Sequence, residues 1–251
     1  MLETRDLTIR FGGHVAVDRV SCAFNPGTLT AIVGPNGAGK TTYFNLISGQ
    51  LRASAGTVAL DGHDLTPLSA PQRTRRGLGR AFQLTQLFPN LSVLENVRLA
   101  VQARRGQGLD FLSVWLHHRE LLDEARALVE RVRLTARMDV PAASLPHGDQ
   151  RKLEVAMLIA LQPKVYMFDE PTAGMSVDEV PVVLDLIREL KAEGRHTILL
   201  VEHKMDVVRE LADRIIVLHM GQLVADGEPA TVIASPVVQQ AYLGTAMPEA
   251  A

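Results

Sequence analysis

The residues Gly34-Pro35-Asn36-Gly37-Ala38-Gly39-Lys40-Thr41 follow the spacing G-x-x-x-x-G-K-[ST]. Glycines at these positions let successive backbone N–H groups turn toward one anion, and the start of the following helix adds positive potential. Lys40 then reaches β- and γ-phosphates, while the Thr41 hydroxyl ligates Mg²⁺. The chemistry is the binding of a nucleotide polyphosphate.

A second group of residues supplies what hydrolysis needs. The apolar run Val165-Tyr166-Met167-Phe168 ends in Asp169 and Glu170. A buried strand holds Asp169 rigidly enough to orient a magnesium shell, and places Glu170 to polarise a water in line with the γ-phosphate. His203 follows another apolar run, Ile198 to Val201. It is expected on the same C-terminal sheet edge, within reach of the γ-phosphate. Gln83, in Gly79-Arg80-Ala81-Phe82-Gln83, offers an amide to the metal or water shell where the character of the sequence changes.

The elements that must carry these groups are legible around them. Leu2 to Phe11 alternates as a strand, Val15 to Phe24 does so less cleanly, and Leu29 to Val33 is nearly all apolar, as a strand buried on both faces would be. The glycine loop leads into a predicted helix, Thr41 to Ser48, closed by Gly49. From Leu87 to Pro146 helical spacing takes over: Leu121, Ala125, Leu128 and Val132 recur at i, i+4, i+7 and i+11, with Gln102 to Gly108 read as a solvated loop. Strand and helix then alternate again, with helices at Val155 to Leu161, Val180 to Glu193 and Met205 to Ala212. Strands are expected at Val165 to Phe168, Thr197 to Val201, Ile215 to His219 and Leu223 to Ala225, then a final helix after Pro229 and a frayed tail after Gly244. The fold class is α/β, with a largely parallel sheet and helices on both faces.

Composition narrows the function classes. The 251 residues carry 26 Lys and Arg against 28 Asp and Glu, a net charge of -2, so no basic excess exists to neutralise a nucleic-acid backbone. The longest apolar stretch, Val155 to Leu161, is far short of the roughly 20 residues of a spanning helix. No signal-like apolar run follows Met1, and a cytosolic location is expected. The single cysteine, Cys22, is expected to be a small buried residue.

The ordered set of motifs resembles the ATP-binding subunits of ABC transporters, and most closely the short cassettes of importers for branched-chain and other hydrophobic amino acids. The likeness runs from Leu2 to about Gly244. It implies a P-loop NTPase, RecA-like core with a parallel sheet, an N-terminal antiparallel β subdomain and an inserted helical subdomain. It also implies one cassette over 1–251, its core at 1–84 and 152–251 and its helical part at 85–151. The cofactors implied are ATP and Mg²⁺, held by Gly34 to Lys40 with Thr41 and Thr42, and by Thr41, Gln83 and Asp169 for the metal. Phe11 and the nearby Val17 fall where the family stacks an aromatic on adenine. Gln83 matches its glutamine loop, Glu170 its base, His203 its switch histidine, and Thr172 to Asp178 its dimer-contact loop. The family signature, usually Leu-Ser-Gly-Gly-Gln, appears as Leu145-Pro146-His147-Gly148-Asp149-Gln150, and Pro146 replaces the serine hydroxyl with a side chain that has no donor.

The resemblance further implies two cassettes, identical or paralogous, packed head to tail so that each ATP lies between one phosphate loop and the other chain's signature. Integral membrane permease subunits are expected to dock short helices near Gln83 to Asn96, with a periplasmic substrate-binding protein supplying the cargo. The chain is then peripheral, on the cytoplasmic face of the inner membrane, and soluble when isolated. Two rivals fit less well. A phosphate-loop GTPase or small-molecule kinase usually needs Asn-Lys-x-Asp, whereas His203-Lys204-Met205-Asp206 stands here. A DNA-repair or ribosome-associated cassette commonly carries coiled-coil insertions or tandem cassettes. Branched-chain amino acids are the favoured cargo, with urea, amides or aromatic acids as the alternatives.

Overall fold

A computed structural model describes residues 1–81, 87–106 and 116–243. In chain order its strands and helices are β1 (Leu2–Phe11), β2 (His14–Phe24), β3 (Leu29–Val33), α1 (Lys40–Ser48), β4 (Ala55–Leu60), β5 (His63–Asp64), α2 (Ala70–Arg75), β6 (Leu78–Ala81) and α3 (Val93–Arg104). There follow α4 (Leu116–Arg131), α5 (His147–Leu161), β7 (Val165–Asp169), α6 (Val180–Ala192), β8 (Thr197–Val201), α7 (Met205–Leu211), β9 (Arg214–His219), β10 (Gln222–Gly227), α8 (Pro229–Ala234) and α9 (Pro236–Leu243). The chain divides into two compact units, one of residues 1–78, 164–170 and 191–251, the other of 79–163 and 171–190.

In the first unit β1 lies between antiparallel partners β2 and β4, forming a small sheet of order β2-β1-β4-β5. The second sheet runs β10-β9-β3-β8-β7 through this unit. The pairs β3/β8, β3/β9 and β7/β8 are parallel, and β9/β10 is antiparallel. Strand alternation assigns its two faces. Ile32, Ile216 and Leu218 point to a core shared with Tyr43, Phe44, Leu46 and Ile47 of α1 and with Leu2, Leu7 and Val58 of the small sheet. Ala31, Val33, Ile215 and Val217 point the other way, to Val208 of α7, Val232 of α8 and Val238 of α9. Helices on both faces, expected from the alternation of strand and helix, are therefore observed. Cys22 is buried in the first of these cores, as expected for a small apolar residue.

The second unit is helical, with α3 packed on α4 and α5. Leu121, Ala125, Leu128 and Val132, the i, i+4, i+7, i+11 set, are all buried. Several elements differ from the sequence reading, among them three helices. α3 runs to Arg104, so Gln102 to Arg104 are helical, and Arg104 and Arg105 form ion pairs with Glu124 on α4. α5 begins at His147, eight residues before Val155, and the 151/152 boundary drawn from the sequence falls inside this one helix. The final helix is two, because Pro236 cannot donate to the preceding turn and α8 stops at Ala234.

Candidate active site

The phosphate loop is shaped by close approaches only glycine allows. A Cβ on Gly34, at φ 151°, would lie 2.1 Å from the Leu218 carbonyl oxygen. One on Gly39, at φ 96°, would lie 2.5 Å from the Ala16 oxygen. Gly39 is the N-cap of α1, whose first turn holds no acidic residue, so its positive end is not neutralised from within the helix. Asn36 and Gly37 are exposed, whereas Lys40 is buried. The Lys40 ammonium donates to the Gly34 oxygen at 2.7 Å and to the Pro35 oxygen at 2.9 Å. Burial pushes this ammonium below the usual lysine range, and the carboxylates of Glu170 and Asp169 pull partly back.

β7 and β8 end side by side, with Asp169 in register with Val201. Asp169 is 2% exposed. Glu170 follows in a left-handed conformation, φ 49°, unusual for a side chain with a Cβ, and its N–H donates to the Val201 oxygen at 2.9 Å. This turn directs Glu170 toward His203, whose Nε2 lies 2.7 Å from Glu170 Oε1. The backbone of His203 is held by the buried Glu202 carboxylate, which accepts from the N–H of His203 at 3.1 Å and of Lys204 at 3.4 Å. Loop, Glu170 and His203 line one cavity of about 330 Å³, together with His14 and Ala16. Its donors and acceptors can hold a polyphosphate and orient a water beside the terminal phosphorus.

One flank of the cavity is formed by the end of the Phe11-Gly12-Gly13 turn and the start of β2. Val17 is fully buried in the core, with Cγ2 at 3.6 Å from the Cβ position of Gly39. Ala16 and His14 line the cavity, and neither stood out in the sequence except as followers of the Phe11-Gly12-Gly13 turn. Phe11 is 50% exposed at the end of β1. Thr41 and Thr42 line the cavity, and Gln83 lies outside the described residues. Asp169 and Thr41 offer oxygen donors only, the set a hard divalent ion such as Mg²⁺ takes when it keeps most of its waters.

Leu145 to Gln150 lead into and open α5, which starts at His147, in the other unit. Pro146 is the N-cap and is exposed, as is His147, whereas Leu145, Gly148 and Asp149 are buried. Gln150 ties the turn by donating from Nε2 to the Leu145 oxygen at 3.0 Å.

The family model described as ABC transporter matches residues 17–173, from within β2 to the residues just after Glu170. The chain belongs to the ABC transporter family. Relatives of this ABC cassette include the high-affinity branched-chain amino acid transport ATP-binding protein LivG of Escherichia coli (strain K12), 38% identical over 98% of both chains. BraF of Pseudomonas aeruginosa, with the same description, is 36% identical over 98% of both. Among solved structures, the ADP conformation of MJ1267, an ATP-binding cassette of an ABC transporter, is 30% identical with a TM-score of 0.81, covering 97% of this chain and 98% of that one. A nucleotide-free ATP-binding cassette matches at 29% identity and TM-score 0.81, over 96% and 98%. The fold of this ABC chain is thus the P-loop NTPase fold of such cassettes, and its activity is ATP hydrolysis coupled to transport.

Proposed function

We propose that the chain energises an importer of branched-chain amino acids, and that it works as one of two cassettes beneath a membrane permease. The end-to-end likeness to LivG, 38% identity over 98% of both chains, carries this reading of the cargo. Among the described residues no helix is long and apolar enough to cross a membrane. In this reading the passage belongs to separate permease subunits, with this chain on their cytoplasmic side. A periplasmic binding protein delivers the amino acid, and nucleic acid has no part.

Catalysis follows from the geometry of the phosphate-loop cavity. ATP enters with its adenine against Phe11 and its phosphates over Asn36 to Thr42. Lys40 exchanges the Gly34 and Pro35 oxygens for phosphate oxygens, a substitution of one set of acceptors for a charged one. Thr41 and Asp169 would hold Mg²⁺, which when bound would neutralise developing phosphate charge; Gln83, the further ligand the family resemblance implies, lies outside the described residues. With Nε2 protonated, His203 donates to Glu170 in the resting site. Moving that hydrogen bond to the γ-phosphate frees Glu170 to accept a proton from the attacking water as the bond from γ-phosphorus to the bridging oxygen breaks and ADP leaves with the electron pair.

The second cassette supplies the start of its α5, residues 145–150, to the same γ-phosphate, and this chain does so in return, whether the pair is identical or paralogous. An apolar cavity of about 460 Å³ in residues 79–163, lined by Leu87, Phe88, Leu99, Met157 and Leu161, suits a short permease helix. Asn96, which the sequence placed at the border of this groove, is fully buried and holds the 88–92 turn through hydrogen bonds to Phe88, Leu91 and Ser92. The test is uptake into vesicles containing this chain and its co-expressed permease and binding protein. ATP-dependent uptake of leucine, isoleucine and valine is expected, and uptake of urea, amides or aromatic acids in their place overturns the cargo.

A further inference from the structure

We propose that Glu179 is a positioning residue that fastens the loop 172–178 to the first turn of α5, so that both meet the nucleotide of a second cassette as one surface; this rests on the two-cassette reading above. Glu179 Oε2 accepts from Ser176 N at 3.1 Å and from Ser176 Oγ at 2.9 Å. Its Oε1 accepts from Lys152 Nζ at 3.4 Å, and the same ammonium donates to Asp149 at 2.8 Å. Asp149 in turn pairs with Arg137 at 3.1 Å. The carboxylate also abuts α5 directly: a Cβ on Gly148 would stand 2.2 and 2.4 Å from its two oxygens.

The Ser176-x-x-Glu179 spacing is that of a capping box, and in the turn that leads into α6 it accounts for the two bonds from Ser176. A cap alone requires neither the lysine on α5 nor a glycine at 148. A second contact joins the same two segments, since the His147 ring lies 3.0 to 3.1 Å from the Cβ position of Gly174. Loop and helix start are thus joined at two points, both inside the helical unit. The hydrogen bonds from Ser176 hold the Glu179 carboxyl below its ordinary range, so the latch is charged at neutral pH.

The experiment compares the full chain with Glu179→Ala and Glu179→Gln, measuring ATP hydrolysis against protein concentration, affinity for a fluorescent ATP analogue and the thermal unfolding midpoint. Glutamine keeps an acceptor for Ser176 and the contact with Gly148. The parent rate is expected to rise more steeply than linearly with concentration. Glu179→Ala is expected to lose about 10- to 100-fold in kcat, as misplacement of catalytic contacts does, with nucleotide affinity within about twofold of the parent, and Glu179→Gln, which loses the acceptor for Lys152, to fall between the two. An unchanged kcat in Glu179→Ala overturns the inference alone. So does a loss of rate that tracks equal losses of nucleotide affinity and unfolding midpoint. A parent rate strictly proportional to concentration overturns the two-cassette reading and this inference with it.

Discussion

Glu170 Oε1 and His203 Nε2 lie 2.7 Å apart at the ends of two strands whose last residues, Asp169 and Val201, are in parallel register. Neither side chain reaches the other by chance of loop placement. Glu170 bends out of β7 in a left-handed turn pinned to Val201, and His203 leaves β8 from a turn pinned by the buried Glu202. The residues proposed above as general base and phosphate sensor are thereby held at the ends of two adjacent parallel strands.

Glu170→Gln is therefore expected to keep ATP binding and to lose about 10²–10⁴-fold in hydrolysis, the cost of removing a general base. Lys40→Ala should lose both. Steady-state phosphate release and nucleotide affinity, measured on the same preparations, separate the two. Near-normal turnover by Glu170→Gln removes Glu170 from the role of base.

Phe11 keeps half its surface exposed at the end of β1, where a core phenylalanine would be covered. A stacking role predicts that Phe11→Ala weakens ATP and GTP binding alike by about 5- to 150-fold, since one base stacked on an aromatic contributes about 1–3 kcal/mol whatever its identity. Titration with both nucleotides checks this. Strict dependence on GTP in the parent would return the GTPase rival.

Acid stability should report Asp61. Its carboxylate accepts from Lys164 Nζ at 2.6 Å and from the Met1 α-ammonium at 2.6 Å, and chiefly the Lys164 bond lowers its pKa from 3.8 to about 2. A depressed carboxyl stabilises the fold fully above about pH 4, and that stabilisation is lost as pH falls through about 2. The side chain is 39% exposed, so the contribution is at most about 1 kcal/mol. Asp61→Asn is expected to lower the unfolding midpoint at pH 7 slightly and to flatten its fall between about pH 4 and 2. Identical slopes for both chains would show that this ion pair has no part in acid stability.

What the sequence disclosed follows from how locally each feature is encoded. β3 and β7 are short apolar runs that end in motif residues, and β3 was placed to the residue. Apolar spacing alone marks α5 only from Val155, because Asp149, Arg151, Lys152 and Glu154 look like surface in a list of residue types. In the structure they are buried, with Arg151 paired to Glu154 at 2.9 Å and Lys152 to Asp149 at 2.8 Å. The β4–β5 hairpin escaped because β5 has only two residues. The start of α2 carried a readable signal in Ser69 and Gln72, a capping box with Pro71 in the first turn. Nothing local could have announced that Glu179 abuts Gly148, 31 positions away, or that Val17 faces the core and Ala16 the cavity.

The altered signature gives the last prediction. Pro146 sits at the N-cap of α5 with φ -55° and ψ 154°, exposed and without a side-chain acceptor for the helix N–H groups behind it. Serine adopts that backbone freely and caps a helix by accepting from its second or third N–H, so Pro146→Ser is expected to stabilise the chain by about 0.5–2 kcal/mol. In the two-cassette reading the same hydroxyl faces the partner's ATP, where a hydrogen bond to a charged group contributes about 1.5–3 kcal/mol, or roughly ten- to over a hundredfold in rate. A dimer of identical chains then carries two weakened sites. Pairing with a paralogue that has the serine leaves one full site, built on Lys40 and Glu170 of this chain. The heterodimer should outpace the homodimer, and Pro146→Ser should raise homodimer turnover at saturating ATP together with its unfolding midpoint. A higher midpoint with an unchanged rate would show that the backbone donors of α5 already suffice for the phosphate, and that the proline weakens the helix start alone.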